Sequence, residues 1–336
     1  MHDNSLSERG TTNAVLGYAQ LLTQYGHSIE IAYNEETPSN NPAVVKKIAS
    51  EFELVPYRTF SSLRQHQLQY DLAYFIKSGR NDDRYFDKTP SLVHAVFQEY
   101  QPHGYKYFYV SEWLSQTMKN RQWRPKNYLA GRQGIENGCV NARKFDFLPH
   151  VVDVEQLGQG MRGELGLPPD CFVILRYGGY DTFDIPWAQQ ALVEIIETNP
   201  HVFALMVNTR PFSDHERVIY LTQFTSHLER DRLLGTADLF LHARMRGESF
   251  GLSIVEALQA RIPVLAWVGG SDRNHTALLS NSNSLYSNRS DLVLKLRAAI
   301  QDTSDFQSND QITRAEQFRS LAVAPSLITL FFDYLG

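Results

Sequence analysis

At 336 residues with 43% hydrophobic content, the chain is too long for one ordinary core and carries ample apolar material for two. Its net charge of −5 and sequence pI near 6.1 provide no dominant basic field, which excludes nucleic acid as the main partner. No run approaches the ~20 apolar residues of a membrane span, Met1 is followed by no apolar signal segment, and Cys139 and Cys171 lack metal-type spacing, all as expected of a cytoplasmic protein with free thiols.

In chain order, the first pattern is apolar and helical. Val15, Leu16, Ala19 and Leu22 share one face, with Thr11 or Thr12 as the expected cap. Gly26 and His27 end that helix, and residues 28–33 read as a strand. Further β-favouring runs fall at 71–77, 91–97 and 106–111, the last leading into a helix from Glu112. Residues 145–153, with Pro149, are expected to separate a domain 1–150 from a domain 151–336. Beyond them, strands are expected at 171–177 and 203–208 around a helix 187–198 that buries Ala188, Leu192, Ile195 and Ile196. A helix starts near Glu229, strands follow at 237–242 and 262–267, and final helices are expected at 290–302 and 312–321. The apolar residues 327–332 suit a docked last helix, which could cross back to the first half. Two alternating halves joined by a Pro-containing hinge predict an α/β chain of two Rossmann-like domains with a cleft between them.

The most informative stretch lies between the strands at 237–242 and 262–267. Glu248 and Glu256 stand eight positions apart, with Ser249, Phe250 and Gly251 between them and a helical pattern beginning at Leu252. Glu248 is thereby expected at the carboxyl end of a parallel strand, where ligands bind in open α/β sheets. At ~100° per residue, eight steps return Glu256 to roughly the side from which Glu248 enters. The amides of Phe250 and Gly251, at the positive end of the helix dipole, suit a phosphate.

The run E-S-F-G-L-S-I-V-E, followed by A-L-Q-A-R-I-P-V-L-A, resembles the Glu-x7-Glu signature of family 4 glycosyltransferases, usually E-G-F-G-L-x-x-x-E-A-x-A-x-G-x-P-V. Ser249 replaces the commoner Gly, and Arg261 stands where a Gly is usual. The resemblance implies the GT-B fold and metal-independent, retaining transfer of a sugar from a nucleotide-sugar donor to a saccharide, lipid-linked or other hydroxyl acceptor. It implies that Glu256 accepts hydrogen bonds from ribose hydroxyls, that Glu248 faces the donor sugar, and that the amides of Phe250 and Gly251 hold the diphosphate. Residues 175–184 match the family's G-R-x-x-x-x-K-G-like run in Arg176, followed by Gly178 and Gly179, but its Lys is absent. Arg210, Arg244 or Arg246, or the two glycine amides, are the candidates to replace it. His94 resembles the family histidine that contacts the donor sugar, with a satisfied core histidine as the competing expectation.

In the family a strand precedes the first loop. Here only Met1 to Ser5 are available, so that strand is expected to be missing or severely shortened. The turn Arg9-Gly10-Thr11 suits an acceptor or the donor phosphate, and Lys77 and Asp82 are weaker acceptor candidates. Gly269-Gly270 looks like the family's G-G loop, with Ser271 and Asp272 nearby. Residues 208–212 and 226–229 are expected to shape the choice of base. No His-x-x-x-His or Asp-x-Asp run is present, so no metal and no cofactor besides the donor co-substrate is expected. A membrane-surface contact is compatible with the sequence but not required by it. Two rivals share the fold, a sugar-nucleotide 2-epimerase and a catalytically degenerate binding module. A nicotinamide-dependent dehydrogenase is disfavoured, since no G-x-G-x-x-G follows a strand.

Overall fold

A computed structural model of the protein describes residues 1–122, 146–155, 157, 160–222, 224 and 226–332; Cys139 lies outside the described residues. The chain divides into two compact units. One is Met1–Val151 together with the segment from Ser320 onward, and the other is Val152–Arg319.

The first unit contains α1 (Gly10–Gln24), β1 (Glu30–Asn34), α2 (Pro42–Ala49), β2 (Glu53–Tyr57), α3 (Phe60–Gln65), β3 (Ala73–Lys77), β4 (Ser91–Ala95), β5 (Lys106–Tyr109) and α4 (Glu112–Gln122). β1 pairs with β2, and β3, β4 and β5 follow one another, all parallel. Between these groups lies His2, which bridges to Ala32 of β1 and to Phe75 of β3. The His2 N–H donates to the Tyr74 carbonyl at 2.8 Å, and the His2 carbonyl accepts from Ile76 N–H at 3.3 Å. The expected first strand therefore survives as a stub, and the sheet order becomes β2, β1, stub, β3, β4, β5.

Neither Thr11 nor Thr12 caps α1. Arg9 is the N-cap residue and makes no side-chain cap bond, because the local donors answer a stronger demand. Asp3 is buried, and its carboxylate takes the Thr12 hydroxyl at 2.9 Å and the Arg9 guanidinium at 2.7 Å. A buried charge left without such partners would be far costlier than an uncapped helix end.

The second unit runs β6 (Phe172–Tyr177), α5 (Pro186–Thr198), β7 (Val202–Val207), β8 (Val218–Leu221), α6 (His227–Leu234), β9 (Leu239–His242), β10 (Gly247–Glu248), α7 (Leu252–Gln259), β11 (Val264–Trp267), β12 (Asp272–Arg273), α8 (Asn274–Leu279), β13 (Leu285–Tyr286), α9 (Arg289–Gln301) and α10 (Asn309–Glu316). α11 (Ser320–Phe332) belongs with the first unit. There it buries Val323, Leu327 and Phe331, with Phe331 stacked on Tyr74 at 5.4 Å.

β6, β7, β9 and β11 are near-continuous apolar runs, as parallel strands covered on both faces must be. They form a six-stranded parallel sheet in the order β13-β11-β9-β6-β7-β8. In chain order this is 6-5-4-1-2-3, the doubly wound arrangement whose direction reverses between β6 and β9. α5 begins with Pro186 in its first turn and buries Ala188, Ala191, Leu192, Ile195 and Ile196, as its spacing predicts.

One expected helix differs. The apolar pattern over 312–321 is split between α10 and α11, because residues 317–319 leave the helical ladder. The Phe318 carbonyl accepts from Val152 N–H at 2.8 Å, and the Ala315 carbonyl accepts from the Gln259 amide at 2.9 Å. Side chains of the second unit hold residues 152–155 throughout. Gln259 binds Val152 O and Val154 N–H, Arg230 donates to Asp153 O, Arg319 to Val154 O, and Asp231 accepts from Glu155 N–H.

Candidate active site

The reversal point of the second sheet is where the signature glutamates are held. Tyr177 ends β6 and donates its hydroxyl to Glu256 Oε2 at 2.8 Å. His242 ends β9 and bonds Glu248 Oε1 through Nε2 at 3.2 Å. Both carboxylates thus sit over the carboxyl ends of adjacent parallel strands, Glu248 on β10 and Glu256 on the second turn of α7.

Glu248 is fixed from three sides. Arg244 donates to Oε2 at 2.9 Å, His242 to Oε1, and the Glu248 backbone N–H donates to His275 Nδ1 at 3.2 Å. His275 in turn donates from Nε2 to the Trp267 carbonyl at 2.7 Å, which settles its tautomer. Burial would push the Glu248 carboxyl up. The His242 hydrogen bond and the charge of Arg244 outweigh it and hold the group at about 2, so it stays an anion and is no proton donor near neutral pH.

Glu256 accepts from Arg230 at 3.1 Å as well as from Tyr177. Burial pushes its carboxyl up despite these partners. Arg230 keeps its charge: burial opposes it, but Glu256 and Asp231 more than compensate. A carboxylate offers about four lone-pair sites, so Glu256 has acceptor capacity left beside these two bonds.

The backbone that carries Glu248 depends on two close approaches. β10 pairs with β12, Gly247 with Asp272 and Glu248 with Arg273. A Cβ on Gly247, at φ +75°, would overlap the Asp272 carbonyl oxygen, and one on Gly270, at φ +100°, the Arg246 carbonyl. Gly251, at φ +96°, is the N-cap of α7. Phe250 is buried against Phe318 at 5.1 Å, and Ser249 lies half-buried between it and Glu248.

Arg176 is enclosed rather than aimed at a ligand. Nη1 donates to the carbonyls of Val207 and Asn208 and to Thr209 Oγ1, and Nη2 to Gly179 O and Thr182 Oγ1. Only 3% of the residue is exposed, and burial brings its pKa down to about 10. It therefore shapes the turn holding Gly178 and Gly179 instead of reaching outward. Arg210 lies exposed on Asp181, with bonds of 2.8 and 2.6 Å, and Arg246 bonds Asp272 at 2.7 Å. Asp184 joins the loops after β6 and β9, through its N–H to Ala243 O and its carboxylate to Met245 N–H.

In the first unit, His94 is a core side chain. It has no exposed surface, bonds the Tyr74 hydroxyl through Nδ1 at 2.7 Å, and packs on Phe108 at 4.6 Å. Of the two positions the sequence offered it, ligand-facing or core, His94 occupies the core one. Burial, with His150 nearby, lowers its pKa well below the usual histidine range. Arg9 bonds Asp3 and the Ser5 carbonyl, Gly10 opens α1, and Thr11 is half-buried on its first turn. Lys77 is ion-paired with Asp82.

Sequence reasoning missed His242, Tyr177 and Arg230. The first two end apolar strands and the third sits in a capped helix, positions without a motif to single them out. Among the described residues no group of three or more His, Cys, Asp or Glu side chains could hold a metal ion, and no helix is long and apolar enough to cross a membrane.

No family model and no curated protein matches the chain. Solved structures do. Anabaena HepE, in complex with UDP and glucose, superposes with a TM-score of 0.70 over 97% of this chain and 96% of its own, at 15% identity. Sucrose-phosphate synthase from Thermosynechococcus elongatus gives 0.68 over 99% and 95%, also at 15% identity. A glycosyltransferase from Rickettsia africae gives 0.69 over 99% and 97%, at 13% identity. The fold is GT-B, an α/β architecture with two parallel-sheet units.

Proposed function

We propose that the protein is a glycosyltransferase that takes a nucleotide-sugar donor at the reversal point of the second sheet and transfers the sugar, with retention, to a saccharide, lipid-linked or other hydroxyl acceptor. The observation that carries this reading is the pair Glu248 and Glu256, separated by seven residues and held over the ends of β9 and β6. Glu256 accepts from the ribose hydroxyls. Glu248, an anion near neutral pH, orients the sugar hydroxyls and stabilises positive charge at the anomeric carbon as the bond to phosphate breaks. Arg244 and Arg246, with the amides at the start of α7, neutralise the leaving diphosphate. No metal takes part in this scheme. HepE bound to UDP makes uracil the first base to test.

The test is thermal denaturation with UDP-, GDP-, dTDP- and ADP-sugars, with and without chelator, followed by turnover of the stabilising donor. One donor raising the melting temperature regardless of chelator supports the reading. Glu248→Gln is then expected to lower kcat by about 100-fold or more with donor binding retained. Near-normal turnover in that variant removes the role assigned to Glu248, and no shift with any donor removes the donor site.

A further inference from the structure

We propose that His242 is a positioning residue for Glu248, a role that rests on the donor-site reading above. His242 is the last residue of β9, and only 6% of it is exposed. Its carbonyl is pinned by the Tyr286 hydroxyl at 2.8 Å, so the ring leaves a fixed point on a rigid strand. Glu248 is an anion and can only accept, so the proton at their 3.2 Å contact lies on His242 Nε2. The other nitrogen, Nδ1, is buried with no hydrogen-bond partner among the described residues. The ring is therefore tied to the site by one donor, at one ring position.

The three groups on Glu248 differ in what a donor does to them. His275 holds the backbone and is itself anchored on Trp267. Arg244 holds Oε2, but its side chain is about a quarter exposed, 24%, and a diphosphate competes with Glu248 for its charge. His242 is enclosed and offers a diphosphate nothing. With a donor bound and Arg244 drawn toward its phosphates, the orientation of the Glu248 carboxylate depends on His242 Nε2. His242 touches no substrate and acts through Glu248.

The orphaned Nδ1 makes the test selective. Gln carries an amide N–H at the ε position and can replace Nε2, Asn stops one bond short, and Leu fills space without donating. His242→Leu and His242→Asn are expected to lower kcat about 10- to 100-fold, the worth of one charge-assisted hydrogen bond. Donor dissociation constants, by calorimetry, are expected to stay within about threefold of wild type. His242→Gln is expected to recover most of kcat. Equal kcat in the Leu and Gln variants, or a loss confined to donor affinity, overturns the proposal while leaving the donor site standing.

Should the wild type turn over no donor, the functional reading fails, and the His242–Glu248 tie is decided by nitrogen NMR of histidine-labelled protein. A slowly exchanging Nε2–H that is released in Glu248→Ala upholds it. A proton on Nδ1 with none on Nε2, or no response to that substitution, overturns it.

Discussion

Arg176 and the two glutamates of the signature were equally visible in the sequence, yet they stand in different relations to the site. Glu248 and Glu256 were legible because the run between them passes from a short loop into an apolar helical pattern, and each has a neighbouring strand to mark where it emerges. Arg176 was legible only as a position. That its guanidinium faces inward follows from the carbonyls of Val207, Asn208 and Gly179 converging on it, the first two standing 31 and 32 positions further along the chain. His94 teaches the same lesson, since its partner Tyr74 is twenty positions away on the neighbouring strand. A planar fork serving several acceptors is not replaceable by an ammonium group. Arg176→Lys is therefore expected to destabilise the protein by about 2–4 kcal/mol in urea denaturation, because it strands buried carbonyls. An effect below about 0.5 kcal/mol, the range of ordinary surface substitutions, would contradict the bracing role.

At the scale of elements, long periodic pieces were readable and short reciprocal ones were not. α5, α7 and the strands β6, β7, β9 and β11 have apolar patterns that leave little choice. β10 and β12 are two residues each, too short to carry any period, and their pairing shows only as glycines at Gly247 and Gly270. The split between α10 and α11 was hidden for a related reason: Phe318 continues the apolar spacing, while its carbonyl turns to Val152. The β10–β12 pair decides where Glu248 stands, so a methyl group inserted there tests the whole arrangement. Gly247→Ala meets both a positive φ and the Asp272 carbonyl. It is expected to cost more than about 1 kcal/mol, the usual gain or loss for glycine at a compatible site being smaller. Donor turnover is expected to fall together with stability. Wild-type melting and turnover in Gly247→Ala would mean that β10 and β12 need no such close approach.

For the whole molecule, titration distinguishes the two units. In the first, burial lowers the pKa of His2 to about 3, of His150 to about 3 and of His103 to about 4, and takes His94 well below its ordinary value. In the second, His275 is lowered to about 4, again by burial first. A histidine kept neutral in the folded state takes up its proton on unfolding. Its contribution is thus complete above the unfolded value of 6.5 and declines as pH falls toward the folded one, by at most about 1.4 kcal/mol per pH unit for each group. Glu248 behaves as a depressed carboxyl: its contribution is intact above 4.5 and is lost toward pH 2, beginning below the 6.5 at which the histidine losses begin. Glu256 and Asp3, raised by burial, work in the opposite direction, since the folded state then binds their protons more readily. Among the described residues, these four lowered histidines of the first unit against His275 of the second place the greater acid sensitivity in the first unit. Hydrogen exchange at pH 7 and pH 5 checks this by unit: amides of β3, β4 and β5 are expected to lose more protection on acidification than those of β6, β7 and β9. Equal losses in the two sheets, or greater protection of the first at pH 5, would refute the account of its histidines as buried neutral groups.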